Sequence, residues 1–322
     1  VREQAQERRR RRKADAASSV AFLYPRGFWQ TLAAPGVLWL IVLFVVPFYA
    51  ILSTAGGRLD PIFQTATPEW NPLRWHPDSF SYVFENLIEP DGPFRVVFVR
   101  TFIYIVAAVS LCLVIGYPVA YYLSRIGGRL KAVMIALVVL PFWISYLMRM
   151  LAWVGLLQDD GYVNRFLTAT GIVHDPVQWL EGMPFTVVMG LAYGYVPFLI
   201  LPLFASLDRI DRSLLEAAWD LGAGSLRAFV RVTLPLSKQG ILAGTVIIML
   251  PMFGDYFTAD LLSGRVTTSM IGSQIYFYLQ GSTLGAAQAQ GAALVTIVAG
   301  LVSILTVYYL VTTARASREA GR

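Results

Sequence analysis

The 322-residue sequence is short of the residues on which most enzymes build their chemistry. Its one cysteine, Cys112, lies in a hydrophobic run and excludes an internal disulfide. The two histidines, His76 and His174, stand alone, so no clustered metal-ligand spacing exists and no metal site is expected. Only three lysines occur, Lys13, Lys131 and Lys238, and none follows a glycine. A phosphate-binding loop needs Lys directly after Gly, which excludes a P-loop ATPase within this chain. There is no G-x-S-x-G elbow, H-E-x-x-H pair or EF-hand loop, so no catalytic residue is expected. Charge is scarce as well: 14% of residues are charged, against about a quarter in a soluble domain.

Apolar residues fill the gap, at 56% of the chain with a mean hydropathy of +0.58, which defines a polytopic membrane protein. We read a basic cytoplasmic tail over residues 1–30, a six-helix membrane domain over 31–315 and a cytoplasmic tail over 316–322. The spans fall at about 32–52, 96–123, 132–157, 185–206, 240–257 and 285–311. The first begins too late for a cleaved leader and reads as a signal anchor. Gly116-Tyr117-Pro118 and Pro141 predict bends in the second and third spans. Residues 55–93 form a long polar connection expected to fold partly over the outer mouth, and residues 258–283 an outer or re-entrant segment.

Basic residues partition by side. With the N-terminus inside, inner segments collect the Arg8–Lys13 run, Arg125, Arg129, Lys131, Arg209, Arg212, Arg227, Arg231, Lys238 and the C-terminal arginines, while outer segments hold most of the acids. That bias puts both termini in the cytoplasm. The net charge of +6 is then a membrane-surface feature. No recognition motif accompanies it, so nucleic-acid binding is not expected.

The stretch from Ser213 to Pro235, SLLEAAWDLGAGSLRAFVRVTLP, is a polar island in the inner loop 207–239. Ser213-x-x-Glu216 has capping-box form and predicts a helix start at Ser213. Leu214, Ala217, Ala218 and Leu221 recur at helical spacing as one apolar stripe. Gly222 stands where a left-handed cap ends a helix, and Ser225 opens a second. Helix, glycine hinge and helix suit a docking knob for another protein.

Glu216-Ala217-Ala218, Gly222, and Val232-x-Leu234-Pro235 resemble the EAA loop of ABC importer membrane subunits, with Val232 where the family has Ile. Gly116–Leu123, Leu140-Pro141-Phe142-Trp143, Met148–Trp153, Gly161–Asn164 and Leu214–Gly224 are similar to the spermidine/putrescine branch, and to the first of its two permeases. Gln239 departs from a frequent Pro, and the first thirty residues and the 55–93 connection are longer than usual. The resemblance implies an all-α membrane fold of six helices of the type I importer permease kind, with a cytoplasmic coupling helix. It implies coupling roles for Glu216, Ala217, Ala218, Leu221, Gly222 and Pro235. It also implies a second permease, a homodimeric ATP-binding subunit that holds ATP and Mg, and an extracellular substrate-binding protein, in the cytoplasmic membrane of a prokaryote. This chain would hold no cofactor. The expected cargo is a small cation of the polyamine class, spermidine or putrescine; an importer for opines, other amines or unrelated small solutes, and a gradient-driven transporter, are the alternatives.

Ionisable residues at membrane depth are costly and mark pathways or pairs. Asp255, with Tyr256 and Asp260 after it, and Arg149 are therefore candidates for an aqueous path, with Asp255 attracting a cation. The alternative is that Asp255 and Arg149 pair with each other or with a partner chain. Trp143, Tyr146, Tyr193 and Tyr195, in the third and fourth spans, could cage an ammonium group, or serve as an interfacial belt.

Overall fold

A computed structural model describes residues 28–60, 62, 65–281 and 285–320. Most of the basic tail therefore lies outside the described residues. The first span is helical from α1 (Phe28–Leu40) through a π-helical turn (Ile41–Val45) into α2 (Val46–Ala55). The π turn sits just before Pro47, which cannot donate the usual backbone hydrogen bond. Nearly the whole first span is uncovered apolar surface, Leu38, Trp39 and Phe44 among it, as a lipid-facing helix requires.

The 55–93 connection is structured. A short antiparallel pair, β1 (Arg58–Leu59) and β2 (Ala66–Thr67), is followed by α3 (Asp78–Ile88). Trp75 Nε1 donates to the Glu69 carbonyl at 2.7 Å, and Tyr49 Oη to that of Trp70, which ties this segment down onto α2.

The framework is α4 (Pro93–Arg125) packed along α8 (Pro184–Asp208), with α11 (Lys238–Phe253) against the other flank of α8. Leu199, Leu203 and Leu207 of α8, Ile105, Ala108 and Cys112 of α4, and Ile248 and Met252 of α11 are fully buried between them. Residue α4 runs on helically past Pro118, and Lys131 at the start of α5 (Gly128–Val139) bonds Asp208 at 2.6 Å, clamping the end of α8. The last helix, α14 (Gly285–Ala320), packs against α2 and α3 and continues through residues 312–320, past the expected end at 311.

Among the described residues, four helices are long and apolar enough to cross a membrane, or six if each of two bent pairs is one span. The third span departs most from expectation. Pro141 does not merely bend it: α5 stops, residues 140–143 form a 3-10 turn, residues 144 and 145 are extended, and the stretch 146–169, which begins with α6 (Tyr146–Leu157), lies at 87° to residues 128–143. The fifth helix ends at Phe253, not 257, and residues 225–236 meet it at 61°. Beyond it, α12 (Phe257–Leu262) and α13 (Ile271–Tyr276) fill the segment read as outer or re-entrant. The loop after α6 carries α7 (Tyr162–Ala169) and is organised by buried Asn164. Its side chain bonds the Gln158 and Val177 carbonyls, the Val177 amide and Trp179 Nε1, all within 3.1 Å.

Candidate functional site

Two polar groupings interrupt the apolar framework. The first is the elbow formed by α9 (Arg212–Asp220), Gly222 and α10 (Ser225–Ala228). The cap is Asp211, whose carboxylate accepts from the Ser213 amide at 3.0 Å, so the helix starts before Ser213 and the expected capping box does not form. Asp is as good a cap as Ser and comes first in the chain. The accepted hydrogen bond from the Ser213 backbone holds the Asp211 carboxyl below its ordinary range. Gly222 has φ +78°, and the Ala223 amide closes on the Ala218 carbonyl at 3.0 Å, so the left-handed end read from the sequence is present.

Only Leu215 of α9 is buried. The apolar stripe is bare: Leu221 is 89% exposed, Leu214 47%, Ala217 exposed and Ala218 half-buried. Glu216 and Pro235 are exposed as well. Two anchors hold the elbow to the bundle. Arg212 donates to the Arg125 carbonyl at the end of α4 (2.9 Å), and Phe229 packs edge-on against Tyr117 and Tyr121 of α4. A cavity of about 350 Å³ lies between Arg125, Arg212, Glu216 and Trp219.

The second grouping centres on Asp255, only 6% exposed. Its Oδ2 accepts from Tyr146 Oη (2.6 Å), Thr258 Oγ1 (2.8 Å) and Tyr195 Oη (3.3 Å), and its Oδ1 from the Thr258 amide (3.0 Å). Tyr146 reaches it because Gly194 of α8 has no side chain; a Cβ there would lie 2.4 Å from the Tyr146 ring. Gly190, one turn earlier, admits Leu262 and Thr258 in the same way. Arg149, 7% exposed, places its guanidinium 5.5 Å from the centre of the Tyr146 ring.

Four of the eight candidate pathway residues, Asp255, Tyr146, Tyr195 and Arg149, thus come together. None of the others hydrogen-bonds to them, although Asp260 is near enough to feel the Asp255 charge. Tyr256 stacks on Tyr276 (4.7 Å) beside a separate cavity of about 470 Å³ against α14. Tyr193 meets Trp153 edge-on, Asp260 is exposed on α12, and Trp143 is 85% exposed in the turn before α6. The sequence reading missed Thr258, Gly190, Gly194 and the Arg212–Arg125 anchor. A Gly-x-x-x-Gly spacing at 190 and 194 was the available signal for close helix approach.

These features have counterparts in known proteins. Residues 94–316 match the family described as the inner membrane component of binding-protein-dependent transport systems, and the chain belongs to that family. It is a multi-pass membrane component of that transport family. Among its relatives, the spermidine/putrescine transport system permease protein PotB of Escherichia coli K12 is 38% identical over 157 residues, 49% of this chain and 57% of the relative. PotB of Haemophilus influenzae is 41% identical over 157 residues, covering 49% and 54%. The inner membrane ABC transporter permease protein YdcU of E. coli K12 is 33% identical over 191 residues, covering 55% and 61%. The chain thus spans little more than half the length of the curated relatives it matches. In fold, it resembles a subunit of a bacterial ABC transporter involved in the import of the acidic polysaccharide alginate, with a TM-score of 0.65 over 94% of this chain and 99% of that one at 18% identity. The fold is therefore that of ABC importer permeases.

Proposed function

We propose that this chain is one of two membrane subunits of an ATP-driven importer for a small cationic solute of the polyamine class. The observation that carries the importer reading is the bare apolar row of α9, Leu214, Ala217 and Leu221, held out from the bundle by two anchors. An exposed apolar stripe with an adjacent carboxylate, Glu216, is a surface that expects a partner. In this reading, the partner is a homodimeric ATP-binding subunit that carries ATP and Mg. The elbow and both termini face the cytoplasm, and a substrate-binding protein docks on the other side. Polyamine as cargo is supported by the names of the relatives at 38 and 41% identity.

Transport then proceeds by alternating access. Closure of the ATPase dimer moves the elbow as a lever, and the pull passes through the Arg212–Arg125 bond into α4 and through Phe229 into the same helix. Each partner shifts the equilibrium only as far as it binds the two states with different affinity. Solute passes beside α6, α8 and α12, near Asp255.

The test is reconstitution with the ATPase, the second permease and the binding protein in proteoliposomes, following uptake of labelled spermidine and putrescine. Glu216→Lys is expected to leave insertion intact and to abolish both uptake and solute-stimulated hydrolysis. Normal uptake in that variant would remove the coupling role. Uptake of another solute that neither polyamine inhibits would remove the substrate assignment and leave the importer.

A further inference from the structure

Two of the interruptions of the helical framework meet at one carboxylate. Tyr146 is the first residue after the break between α5 and α6, and Asp255 lies in the break between α11 and α12. Pro141 before the first break and Pro251 in the last turn of α11 each remove a backbone donor nearby, which makes these the places where the chain can turn without unwinding a helix.

The cluster holds two opposite charges that do not pair. Asp255 takes its hydrogen bonds from neutral donors, and no ion pair joins it to Arg149. Arg149 is equally buried, and its Nε has no hydrogen-bond partner. Tyr146 touches both, with its hydroxyl on the carboxylate and its ring beside the guanidinium. A buried charge without a counter-charge is costly, and each of these has its natural complement in the same cluster. An orphaned Arg149 Nε and a carboxylate held by hydroxyl groups, with Tyr146 touching both, are what one half of a two-position switch would present.

We propose that Asp255 and Arg149 exchange partners during the transport cycle. In the conformation described here, the hydroxyls of Tyr146 and Tyr195 latch Asp255 to α6 and α8, and that of Thr258 ties it to the start of α12. In the alternate conformation Tyr146 swings out, Asp255 pairs with Arg149, and α12 shifts along α6 as its tie to Tyr195 on α8 breaks. Tyr146 and Arg149 are then positioning residues of the translocation path, not solute ligands. The exchange rests on the importer reading above and extends it to named atoms.

The purified importer complex, in proteoliposomes, provides the test. Tyr146→Phe keeps the ring and its seat at Gly194 but releases the carboxylate. Hydrolysis of ATP without solute is expected to rise roughly three- to tenfold, the equivalent of one lost hydrogen bond. Tyr195→Phe, which removes the longer bond, gives a smaller rise in the same direction. Asp255→Asn and Arg149→Gln each lower spermidine uptake, and the double variant retains about tenfold more uptake than the product of the two single effects, because neither charge is left alone. A solute-free rate in Tyr146→Phe equal to wild type, or strictly multiplicative losses in the cycle, would overturn the exchange. If Asp255→Asn fails to assemble, the two tyrosine variants decide, since both keep the charges and the ring packing. A wild-type complex that hydrolyses no ATP would remove the importer reading and the exchange with it.

Discussion

The elbow and the Asp255 cluster are both polar islands in an apolar chain, and they are built in opposite ways. The elbow comes from one continuous stretch, shows its apolar side to the outside and is held by two anchors at the end of α4. The cluster gathers Tyr146, Tyr195 and Asp255 from three segments, buries the carboxylate behind half-buried tyrosines and is held by packing against glycine. A surface made for a partner can be specified locally, because capping, helical spacing and a left-handed glycine act within a few residues. A buried polar network is specified by what the fold brings together, and every member depends on the others being satisfied.

The largest expected effect follows from the local design of the elbow. Gly222 has φ +78° with no atom near its missing side chain, so its role is conformational and not steric. A β-branched residue there costs about 1–3 kcal/mol in the left-handed region. Gly222→Val is therefore expected to lower uptake per inserted chain roughly ten- to hundredfold by misdirecting α10. Gly222→Asn, which tolerates that region, keeps most of the activity. Equal uptake in the two variants would show that the hinge angle does not matter and would erase the contrast with the cluster.

The cluster should answer to volume where the elbow answers to backbone angle. At Gly194 an added methyl group would meet the Tyr146 ring at 2.4 Å, so the ring or α8 must give way. Gly194→Ala is expected to destabilise the purified chain by about 1–3 kcal/mol in thermal unfolding. Gly155→Ala on α6, where a Cβ meets nothing, serves as the control and is expected to be neutral or slightly stabilising. If both substitutions behave alike, Tyr146 is not seated on Gly194 as described.

The same contrast explains what could be read before the structure. The helix, the glycine turn and the second helix of the elbow follow from spacing alone, and so does the apolarity of α4, α8 and α14. The 87° break at residues 140–145 was visible only as Pro141, because a proline signals a lost hydrogen bond and not how far the chain then turns. Asp255 and Arg149 stood out as charges in apolar runs, but their separation within one cluster is a long-range fact. Tyr256, the very next residue after Asp255, goes to a different wall of the protein, stacked on Tyr276. Thr258 was invisible, since a threonine gains meaning only when a carboxylate faces it.

The smallest effect sharpens the view of the elbow as a locally specified unit. Asp211, not Ser213, caps α9, and its folded-state pKa lies below the ordinary 3.8 because the Ser213 amide donates to the charged form. A depressed carboxylate contributes stability that is fully present above its unfolded pKa and is lost as pH falls through the lower folded value. Capping should therefore be unchanged from neutral pH down to about 4 and weaken only below that. Hydrogen exchange of the first-turn amides of α9 reads this directly. Asp211→Asn, a comparable cap without the charge, should show slow exchange with no acid dependence, and Asp211→Ala fast exchange at every pH. Fast exchange in Ser213→Ala with Asp211 intact would return the cap to Ser213, and with it the capping box that the sequence suggested.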